Sequence, residues 1–119
     1  MIDAALALFL QQGLAINIGT RNARLEPHAA YAPAARVEPD GTHVVVFVPV
    51  IGAAAVLADL EANGQAAIVF ARPEDDRACQ VKGVFVSAAD AAAEDQPFVL
   101  AQWHGFLRQL EIIGTPGES

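Results

Sequence analysis

The sequence predicts a mainly β fold of the α+β class, a small closed or half-closed barrel of about five or six antiparallel strands with flanking helices. Two observations favour it. Apolar patterns follow one another in the order helix, three strands, helix, two strands and helix. The strands also come in uninterrupted groups, which favours antiparallel neighbours that curl into a closed or half-closed barrel. We expect one domain over residues 1–119, because neither a repeat nor a linker is visible.

The first half of the chain supplies a helix and three strands. Apolar residues from Ile2 to Leu10 recur at helical spacing, and Gly13 ends that helix. "LAINIGT" (14–20) alternates as a strand, and "HAAYAPAARVE" (28–38) fits an edge or bent strand because it contains proline. "PDG" (39–41) is typical of a hairpin turn. It leads into "THVVVFVPV" (42–50), which is apolar on both faces, so protein should cover both. We expect a second copy of the chain to cover the second face in a homodimer.

The second half predicts a helix, a hairpin and a final helix. "GAAAVLADLEANG" (52–64) has a buried stripe of Val56, Leu57 and Leu60, and Asn63-Gly64 stop it. "QAAIVFAR" and "CQVKGVFVSA" are strands around the acidic turn "PEDD". We expect a C-terminal helix over about 96–113, with Pro97 in its first turn, and a frayed tail at 114–119.

Charge and cysteine content limit the possible partners and the cellular location. A net charge of −7 repels phosphate backbones and anionic membrane surfaces, so we expect neither a nucleic-acid nor a membrane partner. The single cysteine, Cys79, allows no intrachain disulfide and favours a reducing, cytoplasmic location. The N-terminus lacks a basic region and carries Asp3, so we expect no signal peptide.

The pattern resembles the FMN-binding split barrel of the pyridoxamine 5′-phosphate oxidase family up to the end of the second predicted hairpin. The strand that ends at Thr20 is similar to the family's "ATVD" segment, and the turn to Pro27 to its "G-x-P". "LEAN" (60–63) followed by "AAIVF" is similar to "L-x-x-N-P" followed by "A-x-x-F". "RACQVKG" (77–83) is similar to "RQVRVEG".

The resemblance implies FMN at the interface of a homodimer. In the family, an Arg and a Lys of the second strand, with a Ser and a basic residue opening the middle helix, hold the phosphate. Ala30 stands near the Arg, Ala35 and Arg36 near the Lys, and the helix opening has no Ser, Lys or Arg. The usual phosphate cradle is therefore largely absent. FMN bound through other groups, a different ligand in the same cleft, and a dimer that has lost its cofactor all remain open.

Five residues are the candidate cofactor-binding set. We expect an anionic ligand to meet Arg36, Arg77 or Lys82, Gln80 to donate to a ring carbonyl, and Thr20 to touch a flavin ring, as the resemblance implies. The alternative is that Gln80 and Lys82 form the solvent-exposed face of an edge strand, while Arg77 pairs with Asp75 or Asp76. No catalytic residue and no metal site is predicted, since no histidine or cysteine stands at metal-ligand spacing.

Other residues carry weaker signals. Arg21 and Arg24 flank the first turn, where they either reach a phosphate or face water. His104 is an axial-ligand candidate because haem-handling relatives of the fold exist, although a surface histidine is the simpler interpretation. His28 stacks over a planar ring or faces solvent. Walker, nucleophile-elbow and Gly-rich dinucleotide motifs are missing, so hydrolase and nucleotide-triphosphate chemistry have no support.

Two functions of different classes follow. The first is an FMN-binding oxidoreductase of the pyridoxamine 5′-phosphate oxidase-related group, in which the flavin does the redox chemistry. The second is a degenerate, non-enzymatic dimer that binds another small ligand or a partner. Oxidation of pyridoxamine phosphate itself is not expected, because the family's arginine-rich C-terminal segment has no counterpart after Leu110.

Overall fold

The structure is a computed structural model that describes residues 2–11, 14–72, 75, 77–101 and, for the backbone alone, 107–118. It contains three α-helices, a short 3-10 turn at Ala93–Asp95, and seven strands. The helices are α1 (Ala4–Leu10), α2 (Ala54–Asn63) and α3 (Gln96–Leu100). The strands are β1 (Ala15–Arg21), β2 (Pro27–Ala32), β3 (Ala34–Val37), β4 (His43–Pro49), β5 (Gln65–Arg72), β6 (Arg77–Asp90) and β7 (Leu107–Glu118).

The seven strands form one antiparallel sheet in the order β2-β1-β5-β6-β7-β4-β3. Its two outermost strands, β2 and β3, are consecutive in the chain and are separated only by Pro33. The two ends of the sheet are therefore tied together, and the sheet must curl into a barrel. Proline suits this corner because it has no N–H to leave unpaired where the strand passes from one ladder to the other. The predicted mainly β, antiparallel architecture is confirmed. The described residues form seven strands instead of the expected five or six, and the single strand expected over 28–38 is divided at Pro33 into β2 and β3.

The core lies inside this curled sheet. Residues of β1, β5 and β6 that point inward are at most 2% exposed, namely Ile16, Ile18, Ile68, Phe70, Cys79 and Val81. Helix α2 adds Val56 and Leu60 to the same cluster. Gly64 ends α2 in the left-handed region at φ 72°, as the Asn63-Gly64 pair predicted.

A second, smaller core covers the other face of β4. Val45 and Phe47 pack there with Ala34 and with Val99 of α3. The rings of Phe47 and Phe98 lie 6.0 Å apart, and Arg36 on β3 reaches Asp95 at 2.8 Å. The sequence analysis assigned this face of "THVVVFVPV" to a second copy of the chain. The chain covers it with its own helix, so this face does not argue for a dimer.

The predicted C-terminal helix is wrong beyond its first turns. The helix ends at Leu100, and residues 107–118 form β7 between β6 and β4, so the predicted frayed tail is wrong too. Helical spacing of the apolar residues is outweighed because β4 and β6 each need a neighbour for their backbone hydrogen bonds. His104 and Trp103 lie outside the described residues. In the described part of the chain, no helix has the length and apolar content needed to cross a bilayer.

Candidate functional site

The pairing register separates the side chains of β2, β1, β5 and β6 into two faces, because directly opposed residues of antiparallel strands share a face. On the outer face, three rows run across these strands. The first is Tyr31, Asn17, Val69 and Gln80; the second is Ala29, Gly19, Ala67 and Lys82; the third is Pro27, Arg21, Gln65 and Val84. On the inner face, Thr20 stands opposite His28, under α2.

A cleft of about 920 Å³ is lined by all the residues of the second and third rows. On the outer face its floor consists of Gly19, Ala29 and Ala67, so nothing larger than a methyl group projects from the sheet there. Four inner-face residues, Thr20, His28, Ala66 and Gly83, also line the cleft. Leu25, Pro27 and Val84 add an apolar border. A flat, mostly apolar floor with a few polar groups at the edge is typical of sites for planar ring ligands.

Leu25 is held at the border of the cleft by a tight turn. Its φ of 62° lies in the left-handed region, which costs a non-glycine residue conformational energy, and its side chain is 68% exposed. Asn22 fixes the turn, because its Oδ1 accepts hydrogen bonds from the backbone N–H groups of Arg24 and Glu26. A strained turn that presents an apolar side chain beside a cleft favours a role in binding over one in packing.

The polar edge of the cleft presents donors. The Arg21 guanidinium donates from Nη2 to Oε1 of Gln65 at 3.0 Å, which leaves the Gln65 amide N–H groups and the other Arg21 N–H groups for a ligand. Lys82 also lines the cleft, from β6 in the second row. Among the described lining residues there is no carboxylate. A chain with a net charge of −7 therefore presents a locally positive cleft.

Asn63, the last residue of α2, holds this edge in place. Its Nδ2 donates to the backbone carbonyl of Arg21 at 2.7 Å, and its Oδ1 accepts from the backbone N–H of Gln65 at 2.9 Å. The end of β1 and the start of β5 are thereby fixed to each other. The predicted helix stop at Asn63-Gly64 thus also positions two residues of the cleft.

Beneath the sheet, Thr20, Asp59 and His28 form a hydrogen-bonded cluster. Asp59 is only 4% exposed, and its Oδ2 accepts from Thr20 Oγ1 at 2.8 Å and pairs with His28 Nδ1 at 2.7 Å. The hydrogen bond from His28 lowers the pKa of Asp59 most; that from Thr20 adds to it and burial opposes it. Sequence reasoning missed this cluster. The signal was the spacing, since Asp59 follows Val56 by three residues on the predicted apolar stripe of α2.

The structure brings two of the five predicted site residues to the cleft and leaves three elsewhere. Thr20 and Lys82 both line it, but the Thr20 hydroxyl is bonded to Asp59 on the inner face. Gln80 shares the outer face with Lys82, one row beyond the cleft lining. Arg36 lies on β3 in ion pairs with Asp95 and Glu38. The Arg77 guanidinium lies 4.5 Å from the centre of the Phe9 ring.

The phosphate positions implied by the resemblance do not fit FMN in this chain. Helix α2 starts after Ala53, which makes no side-chain cap, and the next residues are Ala54, Ala55 and Val56. Ala30 occupies the strand position of the family's Arg, and Arg36 is engaged by Asp95 at 2.8 Å. At these positions a dianionic phosphate would meet, among the described residues, no cationic side chain that is not already in an ion pair. By contrast, the donor set of Arg21, Gln65 and Lys82 suits an anion.

Known structures share this fold, although no protein-family model and no curated protein matches the sequence. An FMN-binding protein from Syntrophomonas wolfei aligns with a TM-score of 0.71 and 11% identity over 98% of this chain and 87% of its own. A putative pyridoxamine 5′-phosphate oxidase from Lactobacillus delbrueckii aligns with a TM-score of 0.66 and 14% identity over 97% and 91%. HutZ, the heme storage protein from Vibrio cholerae, aligns with a TM-score of 0.62 and 15% identity over 99% and 93%. The chain therefore has the split-barrel fold of the pyridoxamine 5′-phosphate oxidase-like and FMN-binding proteins.

Proposed function

We propose that this protein is an FMN-binding, oxidoreductase-like protein that holds the flavin in the outer-face cleft. The observation that carries the proposal is the cleft itself: about 920 Å³, with a floor of glycine and alanine and a donor edge of Arg21, Gln65 and Lys82. A planar ring with an anionic tail matches these features. The fold supports the choice, because one of its structural neighbours is described as FMN-binding.

The residues of the chain would bind and orient the flavin, and the flavin would supply electron or hydride transfer. Lys82 is placed to donate to the phosphate and the Gln65 amide to the phosphate or a ring carbonyl, while Leu25 and Val84 would shield the ring from water. We propose no protein acid or base for the redox step. We propose a small molecule as the substrate.

A homodimer in the cytoplasm is part of the proposal. The outer face beside the cleft leaves Tyr31 48% and Val69 38% exposed, and among the described residues no helix covers them. A second copy that packs on this face would close the open side of the cleft, since the same surface on both copies is self-complementary. The buried thiol of Cys79 is compatible with a reducing compartment.

The alternative function is a non-enzymatic barrel that binds another ligand or a partner. One observation favours it, namely that alanine and valine replace the expected phosphate ligands at the start of α2. This alternative predicts that the cleft holds an anionic ring compound other than FMN, or that the outer face binds a partner and the cleft holds no ligand.

An absorbance spectrum separates the two. We expect purified protein, mixed with FMN and desalted, to keep bands near about 370 and 450 nm. Riboflavin and hemin are the comparison ligands. Retention of FMN establishes a flavoprotein, whereas a flat spectrum after FMN treatment overturns the flavin proposal and leaves the non-enzymatic barrel.

A further inference from the structure

We propose that Arg21 and Lys82 form a phosphate-binding site at the edge of the outer-face cleft, with the Gln65 amide as a third donor. This inference rests on the proposed function in one respect, that the ligand combines a ring with a phosphate. It moves the phosphate away from the strand and helix positions that the family resemblance implies, because those positions carry Ala30 and Ala54–Val56 here.

The first argument is the chemistry of the edge. Arg21, Gln65 and Lys82 lie in the second and third rows of the outer face, and all three line the cleft. The Gln65 side-chain oxygen already accepts from Arg21 at 3.0 Å, and neither Arg21 nor Lys82 has a side-chain acceptor, so the three side chains offer mainly donors to a ligand. A ligand that brings acceptors alone, such as a phosphate monoester, satisfies it, whereas a cation or a ligand rich in N–H groups does not.

The second argument is preorganisation. Arg21 is fixed at its carbonyl by Asn63 and at its guanidinium by Gln65, and Gln65 is fixed at its N–H by the same Asn63. A guanidinium held before the ligand arrives loses less conformational entropy on binding than a free surface arginine. This network spans the end of β1, the end of α2 and the start of β5, so it belongs to the fold and not to a loose surface contact.

The third argument is electrostatic. The described lining has two cations and no carboxylate, in a chain whose acidic residues outnumber its basic ones by 14 to 7. Arg21 and Lys82 give the cleft a positive local potential within a chain that is acidic overall. A dianionic phosphate bound there gains two charge-assisted contacts, each of which usually strengthens binding by about tenfold or more.

The test compares FMN with riboflavin, which has the same ring without the phosphate, in four proteins: wild type, Arg21→Gln, Lys82→Gln and Arg24→Gln. Arg24 is the matched control, because it is exposed in the neighbouring turn and does not line the cleft. We expect Arg21→Gln and Lys82→Gln each to weaken FMN binding by about tenfold or more. Riboflavin binding should stay unchanged, and Arg24→Gln should bind FMN as the wild type does.

Three outcomes overturn the inference. FMN affinity that survives both substitutions excludes a phosphate contact, and an equal loss for FMN and riboflavin indicates a change in cleft shape instead. If the wild type binds neither flavin, the proposed function fails, and inorganic phosphate then decides this inference alone. Phosphate that shifts the side-chain NMR signals of Arg21, Gln65 and Lys82, but not of Arg24, supports the site; no shift there overturns it.

Discussion

At the scale of single residues, the carboxylate of Asp59 links three elements of the fold. It lies on α2, accepts a hydrogen bond from Thr20 on β1 and pairs with His28 on β2, all through Oδ2. Because these bonds stabilise the ionised form, the pKa of Asp59 falls below its ordinary value of 3.8. The ionised carboxylate therefore stabilises the packing of α2 against the first two strands.

Replacing Asp59 by Asn should make the protein less stable at neutral pH and less sensitive to acid. A lowered pKa in the folded state gives stability that is present above 3.8 and is lost as the pH falls through the folded pKa. We expect the difference in urea midpoint between wild type and Asp59→Asn to be largest above about pH 5 and to shrink below that. Urea unfolding at a series of pH values measures this difference.

The control for that experiment is Glu61→Gln, which removes an exposed carboxylate from the same helix. The urea midpoint of Glu61→Gln should differ little from that of wild type at every pH. If the urea midpoints of wild type and Asp59→Asn differ as much in acid as at neutral pH, the cluster does not stabilise the fold through an ionised Asp59.

The same cluster shows which site residues sequence could supply. Lys82 was predictable because a charged residue in an apolar strand must face outward, and the outer face is where the cleft lies. Asp59 and Gln65 were not predicted, because each matters through a partner 39 or 44 residues away, with Thr20 and with Arg21. Pairing across that distance follows from the strand register, which a local pattern does not contain.

At the scale of elements, the segment around α3 is attached to the barrel by one arginine. Arg36 reaches Asp95 at 2.8 Å and Glu38 at 3.3 Å, and its guanidinium lies 5.5 Å from the centre of the Phe47 ring. Val99 packs beneath this attachment and is 1% exposed. The attachment keeps α3 over the outer face of β4.

Arg36→Gln should therefore loosen α3 without affecting a phosphate held at Arg21 and Lys82. We expect a loss of about 1 kcal/mol in the free energy of unfolding, since the ion pair is partly exposed. We also expect faster hydrogen exchange in residues 96–100, with FMN affinity unchanged. Adding Asp95→Asn to Arg36→Gln should lower the free energy of unfolding little further, because Asp95 has already lost its partner Arg36. A strong loss of FMN affinity would instead support the sequence-based assignment of Arg36 to the cofactor.

The elements that sequence predicted well are those whose burial is local. β1, β4, β5 and α2 each carry their own alternating or helical pattern, and their bounds lie within two residues of the predicted ones. β7 has no such signal, because it is placed by the ladders it makes with β4 and β6, strands that end far earlier in the chain. β7 can be assigned only from the topology of the sheet, because the local spacing of its apolar residues is that of a helix.

At the scale of the whole molecule, one half of the sheet is covered and the other is not. Helix α3 closes the outer face of β4, whereas the described residues leave the outer face of β2, β1, β5 and β6 open around the cleft. Tyr31, Val69 and Val84, with exposures of 48%, 38% and 58%, stand on that open face. Exposed apolar residues on an uncovered sheet face favour an interaction surface.

A second copy of the chain is the proposed occupant of this face, and a charge placed at its centre should prevent association. Val69 is in the first row between Asn17 and Gln80, away from the cleft lining, so Val69→Lys should yield a folded monomer. Wild type should be a dimer at micromolar concentration by light scattering coupled to gel filtration. Leu8→Lys is the control, because Leu8 is 69% exposed on α1. A monomeric wild type would contradict the proposed dimer, and a Val69→Lys variant that stays dimeric would place the interface elsewhere.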